Sequence, residues 1–274
     1  MQPTKADLPD LHGQCVLVTR PAHQAAQQIS LLAECGAVAV HLPALEICPI
    51  TEADPGYALL RNQMMNLDQY TIIVCISPNA AHLALDWIDQ FWPQMPDGIQ
   101  WYAIGQKTAH ILNQQDIPAR HSNSGFNSEA MLTLTDLHDI KGKKILILRG
   151  SGGRTTLAET LSERGADVEY ANLYERKCPE YDDILIKSTI YNSALSSILI
   201  TSGEALSNFV TVAQGRQKQF SSDSLHQLNL VVPSERIADQ ARHLGFTRIK
   251  VAQGPDDLSM VTALNSANDS ETNE

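Results

Sequence analysis

Small polar residues and glycines cluster where short apolar runs of the sequence end. Six such turns follow strand-like runs and a seventh precedes a helical segment, at residues 19–21, 77–79, 105–108, 149–153, 201–203, 233–236 and 125–128. Hydroxyl groups and uncovered backbone N–H groups at helix N-termini can bind carboxylates or phosphates. The alternative is that these Ser, Thr and Asn residues only cap helices. Repetition over comparable turns favours an anion-binding site.

The remaining motifs do not support a familiar catalytic site. The LRGSGGR stretch at 148–154 lacks both the GxGxxG spacing and the Lys-Ser/Thr of a phosphate-binding loop. No GxSxG is present, and the nine histidines form no HExxH pair. The acidic pairs at 182–183 and 256–257 are predicted to be a solvated loop and a helix start. The residues alone therefore predict no metal, no cofactor and no obvious nucleophile.

The turns belong to a sequence that repeats itself. The segments beginning CVLVTRP at Cys15 and KILILRG at Lys144 align without a gap, at an offset of 129 residues. The aligned pairs are Leu17 and Leu146, Arg20 and Arg149, Leu32 and Leu161, Gly36 and Gly165, Ala109 and Ala238, Gly125 and Gly254, and Met131 and Met260. CISPNAA at 75–81 also resembles ITSGEAL at 200–206, with a small register change. We infer an internal duplication of about half the chain.

Each copy alternates short apolar runs with segments of helical spacing. The runs VLVT and ILIL are rich in branched residues, as buried parallel strands are. Each leads into a helix that Gly36 or Gly165 is predicted to end. TIIVCIS, SSILITS, WYAIG and NLVVPS are further predicted strands that lead into helices. This alternation predicts an α/β fold with parallel sheets covered on both faces, in two copies.

Composition narrows the class of protein. The 274 residues suit one large or two ordinary domains, and the net charge of −11 argues against a nucleic-acid binder. The five cysteines are odd in number and form no CxxC pair, which argues against a disulfide framework or a zinc site and favours the cytoplasm. No stretch approaches about 18 consecutive apolar residues, so no membrane span is predicted. The polar N-terminus does not resemble a secretory signal.

The motifs, taken in order, resemble the uroporphyrinogen-III synthase family. The resembling stretches run from about Val16 to Leu264 and are VLVTRPAHQA, ISPNA, AIGQKTA, GFNSEAML, ILILRGSGGR, ANLYER, ITSGEAL and VVPSERIADQARHLGF. The resemblance implies two similar flavodoxin-like parallel-sheet domains, joined by a two-stranded linker and separated by a cleft. The first domain would take residues 1–44 and 182–266 and the second 50–172. Residues 43–51 and 171–182 would be the crossing linkers, and 267–274 a disordered tail.

The resemblance also implies an activity and a site. Members of this family cyclise hydroxymethylbilane to uroporphyrinogen III, with inversion of ring D and loss of water, and no cofactor or metal is implied. Tyr174, in NLYER, matches the family's tyrosine, and a tyrosine phenol could donate a proton to the leaving hydroxyl. The alternative is a tyrosine that only packs.

The substrate-binding residues are predicted from the turns and the resemblance together. They are Arg20, Ser77, Asn79, Gly105, Thr108, Ser128, Arg149, Gly150, Gly152, Arg154, Thr201, Ser202, Ser234 and Arg236. The turn at residues 232–236 departs from the family pattern, because this sequence has Val-Pro-Ser-Glu-Arg where many members have a Gly-Pro-Thr-Thr-like turn. Contacts there are therefore expected from Ser234 or Arg236.

The predicted partners are few. Hydroxymethylbilane is the expected small-molecule substrate, and a transient contact with the preceding enzyme of the pathway is expected. Nucleic acid and membrane are not expected partners, and the chain is expected to be a monomer. A non-catalytic two-domain anion-binding module is the alternative function that the residues leave open.

Overall fold

The computed structural model describes residues 8–125, 127–215 and 225–265. The predicted disordered tail, at 267–274, lies outside these residues. The chain divides into two compact units. Unit one takes the chain up to Glu46 and again from Lys177, and unit two is Ile47–Arg176. The first repeat segment therefore begins unit one, while the second lies in unit two.

The elements follow the predicted alternation of strands and helices. The strands are β1 (Cys15–Val18), β2 (Val38–His41), β3 (Glu46–Pro49), β4 (Ile72–Cys75), β5 (Gln100–Ala103), β6 (Ala119–Arg120), β7 (Lys144–Gly150), β8 (Asp167–Lys177), β9 (Ser197–Leu199), β10 (Asn229–Val232) and β11 (Ile249–Val251). The α-helices are α1 (Ala22–Glu34), α2 (Tyr57–Met65), α3 (Pro78–Phe91), α4 (Gln106–Asn113), α5 (Ser128–Leu132), α6 (Thr156–Glu163), α7 (Asp183–Thr189), α8 (Gly203–Ala213), α9 (Glu235–His243) and α10 (Asp257–Thr262).

Unit one contains a five-stranded sheet in the order β11-β10-β9-β1-β2, with every pair parallel. Alternate residues of its strands face two different hydrophobic cores. Leu17 and Ile198 belong to one core, and Val16 and Leu199 belong to the other. Burial of both faces is what the unbroken apolar runs predicted.

Unit two contains a six-stranded sheet in the order β3-β8-β7-β4-β5-β6. Its β7–β8, β4–β7, β4–β5 and β5–β6 pairs are parallel, and β3 lies beside β8 as an additional edge strand. Apart from β3, the spatial order matches unit one when β7 takes the place of β1 and β4 that of β9. The predicted fold class, two similar parallel-sheet α/β domains, is confirmed.

Glycine ends the first helix of each copy in the same way. The N–H of Gly36 donates to Ala33 and that of the next residue to Leu32, and Gly165 repeats the pattern on Ser162 and Leu161. Both glycines have a left-handed backbone, with φ of +85° and +87°. This pair of backbone hydrogen bonds to the last turn of the helix is a Schellman motif, and it confirms the two predicted helix ends.

Candidate functional site

In unit two, the strand order changes direction between β7 and β4. The chain continues from β4 towards β5 on one side and from β7 towards β8 on the other. In open parallel sheets, ligands bind beyond the carboxyl ends of the strands at such a point. Ser77 follows β4 here, and Gly150 ends β7. The topology therefore brings two of the predicted site residues to one place.

Tyr174 joins them from β8. Its phenolic oxygen lies 3.2 Å from Oγ of Ser77, within hydrogen-bond distance. Ser77 also caps α3, because its Oγ accepts the N–H of Ala80 at 3.1 Å. Tyr174 is only 4% exposed and belongs to the hydrophobic core beside the sheet, whereas Ser77 is partly exposed. The structure thus places Tyr174 both as a packing residue and as the partner of a hydroxyl at the strand ends.

A bulge and a glycine hold the tyrosine in this position. Arg149 pairs with Asn172 but Gly150 pairs with Tyr174, so β8 has one extra residue at this point. A Cβ built on Gly150 would lie 2.5 Å from the Tyr174 ring, which leaves no room for any other residue. A bulge re-aims side chains in this way where a strand passes a functional site.

The buried side chain of Arg149 forms hydrogen bonds with the loop that follows β7. This side chain is 5% exposed, and its Nε–H and Nη1–H donate to the carbonyls of Gly150 and Arg154. Gly152 lies on the exposed loop with φ of +75°, and Arg154 forms an exposed ion pair with Glu129. The predicted residues of this loop therefore differ in role, since Arg149 supports it while Gly152 and Arg154 face solvent.

A further predicted turn lies at the start of α4. Gly105 combines φ of +84° with ψ of 151°, a backbone that only glycine adopts readily, and Thr108 is buried in the first turn of the helix. The exposed face of α4 borders an open pocket of about 450 Å³ that includes Lys107, His110 and His121.

In unit one, Arg20 occupies the position that corresponds to Arg149. Its Nη2 forms an ion pair with Asp257 at 3.1 Å and donates to the carbonyl of Pro255. Asp256, beside it, caps α10 by accepting hydrogen bonds from the N–H and the hydroxyl of Ser259, and these two bonds lower the pKa of its carboxyl group. The 256–257 pair does begin a helix, as predicted, but the ion pair with Arg20 was not anticipated from the sequence.

Ser202 caps a helix in unit one as Ser77 does in unit two. It caps α8 by accepting the N–H of Ala205 at 3.1 Å, with φ and ψ within 10° of those of Ser77. Thr201, just before it, is partly exposed. Ser234 is the N-cap residue of α9 but makes no side-chain cap, and Arg236 is exposed in the first turn of this helix.

The remaining predicted residues lie at the starts of helices in unit two. Asn79 is in the first turn of α3 and Ser128 in that of α5, both partly exposed. The cap of α5 is Asn127, which belongs to the predicted 125–128 turn but was not among the predicted binding residues. The prediction for 182–183 was wrong, because Asp182 caps α7 by accepting the N–H of Leu185 at 2.7 Å. Among the residues that the structure describes, no group of His, Cys, Asp and Glu could hold a metal ion.

Comparison with known proteins identifies the family. A family model described as uroporphyrinogen-III synthase HemD matches residues 26–262. The chain belongs to the uroporphyrinogen-III synthase family. The uroporphyrinogen-III synthase of Escherichia coli K12 is 33% identical over 257 residues, which cover 91% of this chain and 99% of the relative. That of Salmonella typhimurium LT2 is 32% identical over 261 residues, with the same coverage of both chains.

Solved structures of the family share the fold. A mutant uroporphyrinogen III synthase from Thermus thermophilus has a TM-score of 0.58 at 12% identity, over 92% of this chain and 97% of its own. The enzyme from Helicobacter pylori 26695 has the same TM-score and coverage at 15% identity. At these identities the likeness concerns the fold alone. No helix of the described residues is long and apolar enough to span a bilayer.

Proposed function

We propose that the chain cyclises hydroxymethylbilane to uroporphyrinogen III, with inversion of ring D and loss of water. Membership of the uroporphyrinogen-III synthase family supports this activity. The observation in the site that supports it most directly is the hydrogen bond between Tyr174 and Ser77 beyond the ends of β7 and β4. It joins the expected proton donor to a partly exposed hydroxyl.

The first step breaks the C–O bond of the terminal hydroxymethyl group. The Tyr174 phenol donates a proton to the departing oxygen, and water leaves. The pyrrole nitrogen supplies the electron pair, which gives a cationic azafulvene. The substituted carbon of ring D then attacks, and the spiro intermediate fragments and recloses with ring D inverted. Closure releases one proton from the ring carbon, which restores the phenol.

Binding must be local, because the substrate is a polycarboxylate and the protein has a net charge of −11. Backbone N–H groups at the starts of α3, α4 and α6 in unit two, together with selected arginines, would hold its carboxylates. Spontaneous closure of hydroxymethylbilane gives the type I isomer. Holding the linear tetrapyrrole in the conformation that leads to type III is therefore the main catalytic contribution.

A coupled assay tests the function. Hydroxymethylbilane, generated in place, is incubated with the purified chain, and the products are oxidised and separated into type I and type III isomers. A type III product that increases with protein concentration is expected. Type I product alone, at any protein concentration, would favour the non-catalytic anion-binding module instead.

The proposal includes a cytoplasmic monomer without metal or cofactor. The free thiols of all five cysteines fit a reducing compartment. Because hydroxymethylbilane closes spontaneously, a transient contact with the enzyme that supplies it would limit the type I side product. Light scattering of the purified chain, alone and with that enzyme, measures both the oligomeric state and the contact.

A further inference from the structure

Arg149 carries a buried positive charge that no carboxylate of the described residues neutralises. Two of its N–H groups donate to backbone carbonyls at 3.0 and 3.3 Å, and its Cζ lies 4.6 Å from the centre of the Tyr170 ring. The ion pairs of the described residues do not include it. A guanidinium has five N–H donors, and a buried charge without a counter-ion is unfavourable.

The corresponding arginine of unit one has its counter-ion. Arg20 precedes Arg149 by the offset of the duplication, 129 residues, and lies at the end of the equivalent strand. Its ion pair with Asp257 joins two side chains that are each 14% exposed. The two copies therefore differ in charge compensation: Arg20 has a carboxylate counter-ion in its own unit, whereas Arg149 has none among the described residues.

The difference lies at the residue that corresponds to Asp257. The offset places Ser128 at this position, as the first residue of α5, while Asp257 is the first residue of α10. The two helices begin alike, because Asn127 accepts the N–H of Ala130 and Asp256 that of Ser259, both at 2.9 Å. Unit two thus has a neutral hydroxyl where unit one has the carboxylate.

The loop above Arg149 is suited to an anion. Residues 152–155 are exposed, and α6 begins after Thr155 without a side-chain cap. Gly153 has φ of +89°, and a Cβ there would lie 2.9 Å from Nη2 of Arg149, so glycine lets the loop approach the guanidinium closely. Backbone N–H groups at the start of a helix, next to a buried cation, can bind a negative group.

We infer that Arg149 and the loop at 150–155 form a carboxylate subsite, which a carboxylate of the substrate fills in place of the missing aspartate. The identity of that ligand rests on the proposed function. The subsite predicts that the substrate completes the charge balance of unit two, as Asp257 completes that of unit one.

Two variants test the subsite, with binding of uroporphyrin III, a stable polycarboxylate, as a readout that needs no turnover. Arg149→Met should weaken uroporphyrin binding and raise the KM for hydroxymethylbilane by about 10-fold or more, with a smaller effect on kcat. The melting temperature of the ligand-free protein should change little, because removal of a buried charge offsets the loss of the two hydrogen bonds to the loop carbonyls. Ser128→Asp should supply the internal counter-ion, raise the melting temperature and weaken binding to a similar degree.

Asn127→Asp is the matched control. It adds the same charge one residue away and keeps the helix cap, as Asp256 does in unit one, so its effect on binding should be much smaller than that of Ser128→Asp. Arg149→Lys keeps the charge and should retain part of the affinity.

The subsite would be refuted if Arg149→Met lowered the melting temperature by several degrees with uroporphyrin affinity unchanged, because Arg149 would then only support the loop. Unchanged affinity in Ser128→Asp would refute it as well. The two proposals can fail separately. Arg149-dependent uroporphyrin binding without type III product would contradict the function alone, and type III product with Arg149-independent binding would contradict the subsite alone.

Discussion

At the scale of single residues, the hydroxyl pair of Tyr174 and Ser77 connects the hydrophobic core of unit two to its strand ends. Ser77 already accepts the N–H of Ala80, so its own proton is available to the phenolic oxygen. In that arrangement the phenol proton remains free, which the proposed proton transfer to the leaving hydroxyl requires. The burial of the ring fixes its direction, and positioned proton donors are effective for this reason.

Replacing Tyr174 with Phe keeps the ring and removes the phenolic donor. We expect kcat to fall by about 100-fold, at the low end for general-acid assistance. Affinity for uroporphyrin III should barely change, because this oxidised form of the product lacks the hydroxymethyl group that is protonated, and the type III preference should persist. Steady-state rates, uroporphyrin III binding and isomer analysis measure these three quantities. Wild-type kcat would make Tyr174 a packing residue.

Ser77→Ala, made alone and together with Tyr174→Phe, provides the control. Alone it should lower kcat by about 5-fold, the value of one neutral hydrogen bond. In the Tyr174→Phe background the further loss should disappear, while the loss of stability from the missing cap of α3 should be the same in both backgrounds. Ser77→Thr, which keeps cap and hydroxyl, should restore kcat.

At the scale of elements, the close approach of β7 and β8 positions the site. The bulge in β8 turns Tyr174 towards β7, and Gly150 is the residue that permits the contact. Because both partners are strands in one sheet, neither can retreat without breaking backbone hydrogen bonds, such as that from Ser151 N–H to the Tyr174 carbonyl at 2.7 Å.

Gly150→Ala should therefore displace the Tyr174 ring. The added methyl would overlap the ring, and we expect a loss of about 1–3 kcal/mol in the free energy of unfolding with a fall in kcat approaching that of Tyr174→Phe. Urea unfolding and the isomer assay measure these effects. Gly56→Ala is the control, since a Cβ on that residue meets nothing within 4 Å and both quantities should stay near wild type. A fully active Gly150→Ala would show that the contact does not position the phenol.

At the scale of the whole molecule, stability depends on charges that lie away from the candidate site. In unit two, Glu169 accepts hydrogen bonds from Gln63 and Tyr70 and pairs with Lys144 at 2.9 Å. Burial raises the pKa of the Glu169 carboxyl, but the hydrogen bonds from Lys144, Gln63 and Tyr70 outweigh it and leave the pKa below its ordinary value of 4.5. Burial and the neighbouring Glu169 also raise the pKa of Tyr70, which keeps it a donor.

The depressed pKa of Glu169 makes stability depend on pH. Its contribution is complete above the unfolded pKa, near 4.5, and is lost as the pH falls through the lower folded value. The wild type should exceed Glu169→Gln in free energy of unfolding at pH 6, and the difference should shrink towards pH 3. Urea unfolding of both proteins across this range measures it. If the difference in free energy of unfolding did not change with pH, the stabilising role of the ion pair between Glu169 and Lys144 would be contradicted.

Much of the fold could be predicted from the sequence because its signals are local. The run from Val16 to Val18 is apolar on both faces and ends at a helix whose glycine, Gly36, forms the predicted Schellman motif. These features depend on residues a few positions apart, and the duplication repeats them. The parallel α/β class, the repeat and the family resemblance follow from such patterns alone.

The tertiary structure decided which residues meet. Nothing in the sequence near Arg20 indicates that Asp257 neutralises it, or that Arg149 lacks such a partner among the described residues, since both facts depend on helices that pack beside distant strands. The position of Tyr174 against Gly150 and Ser77 depends on a bulge of one residue, which no periodic pattern records. Propensity and periodicity fix an element within its own few residues, whereas charge balance and side-chain contact arise only when long-range pairing brings elements together.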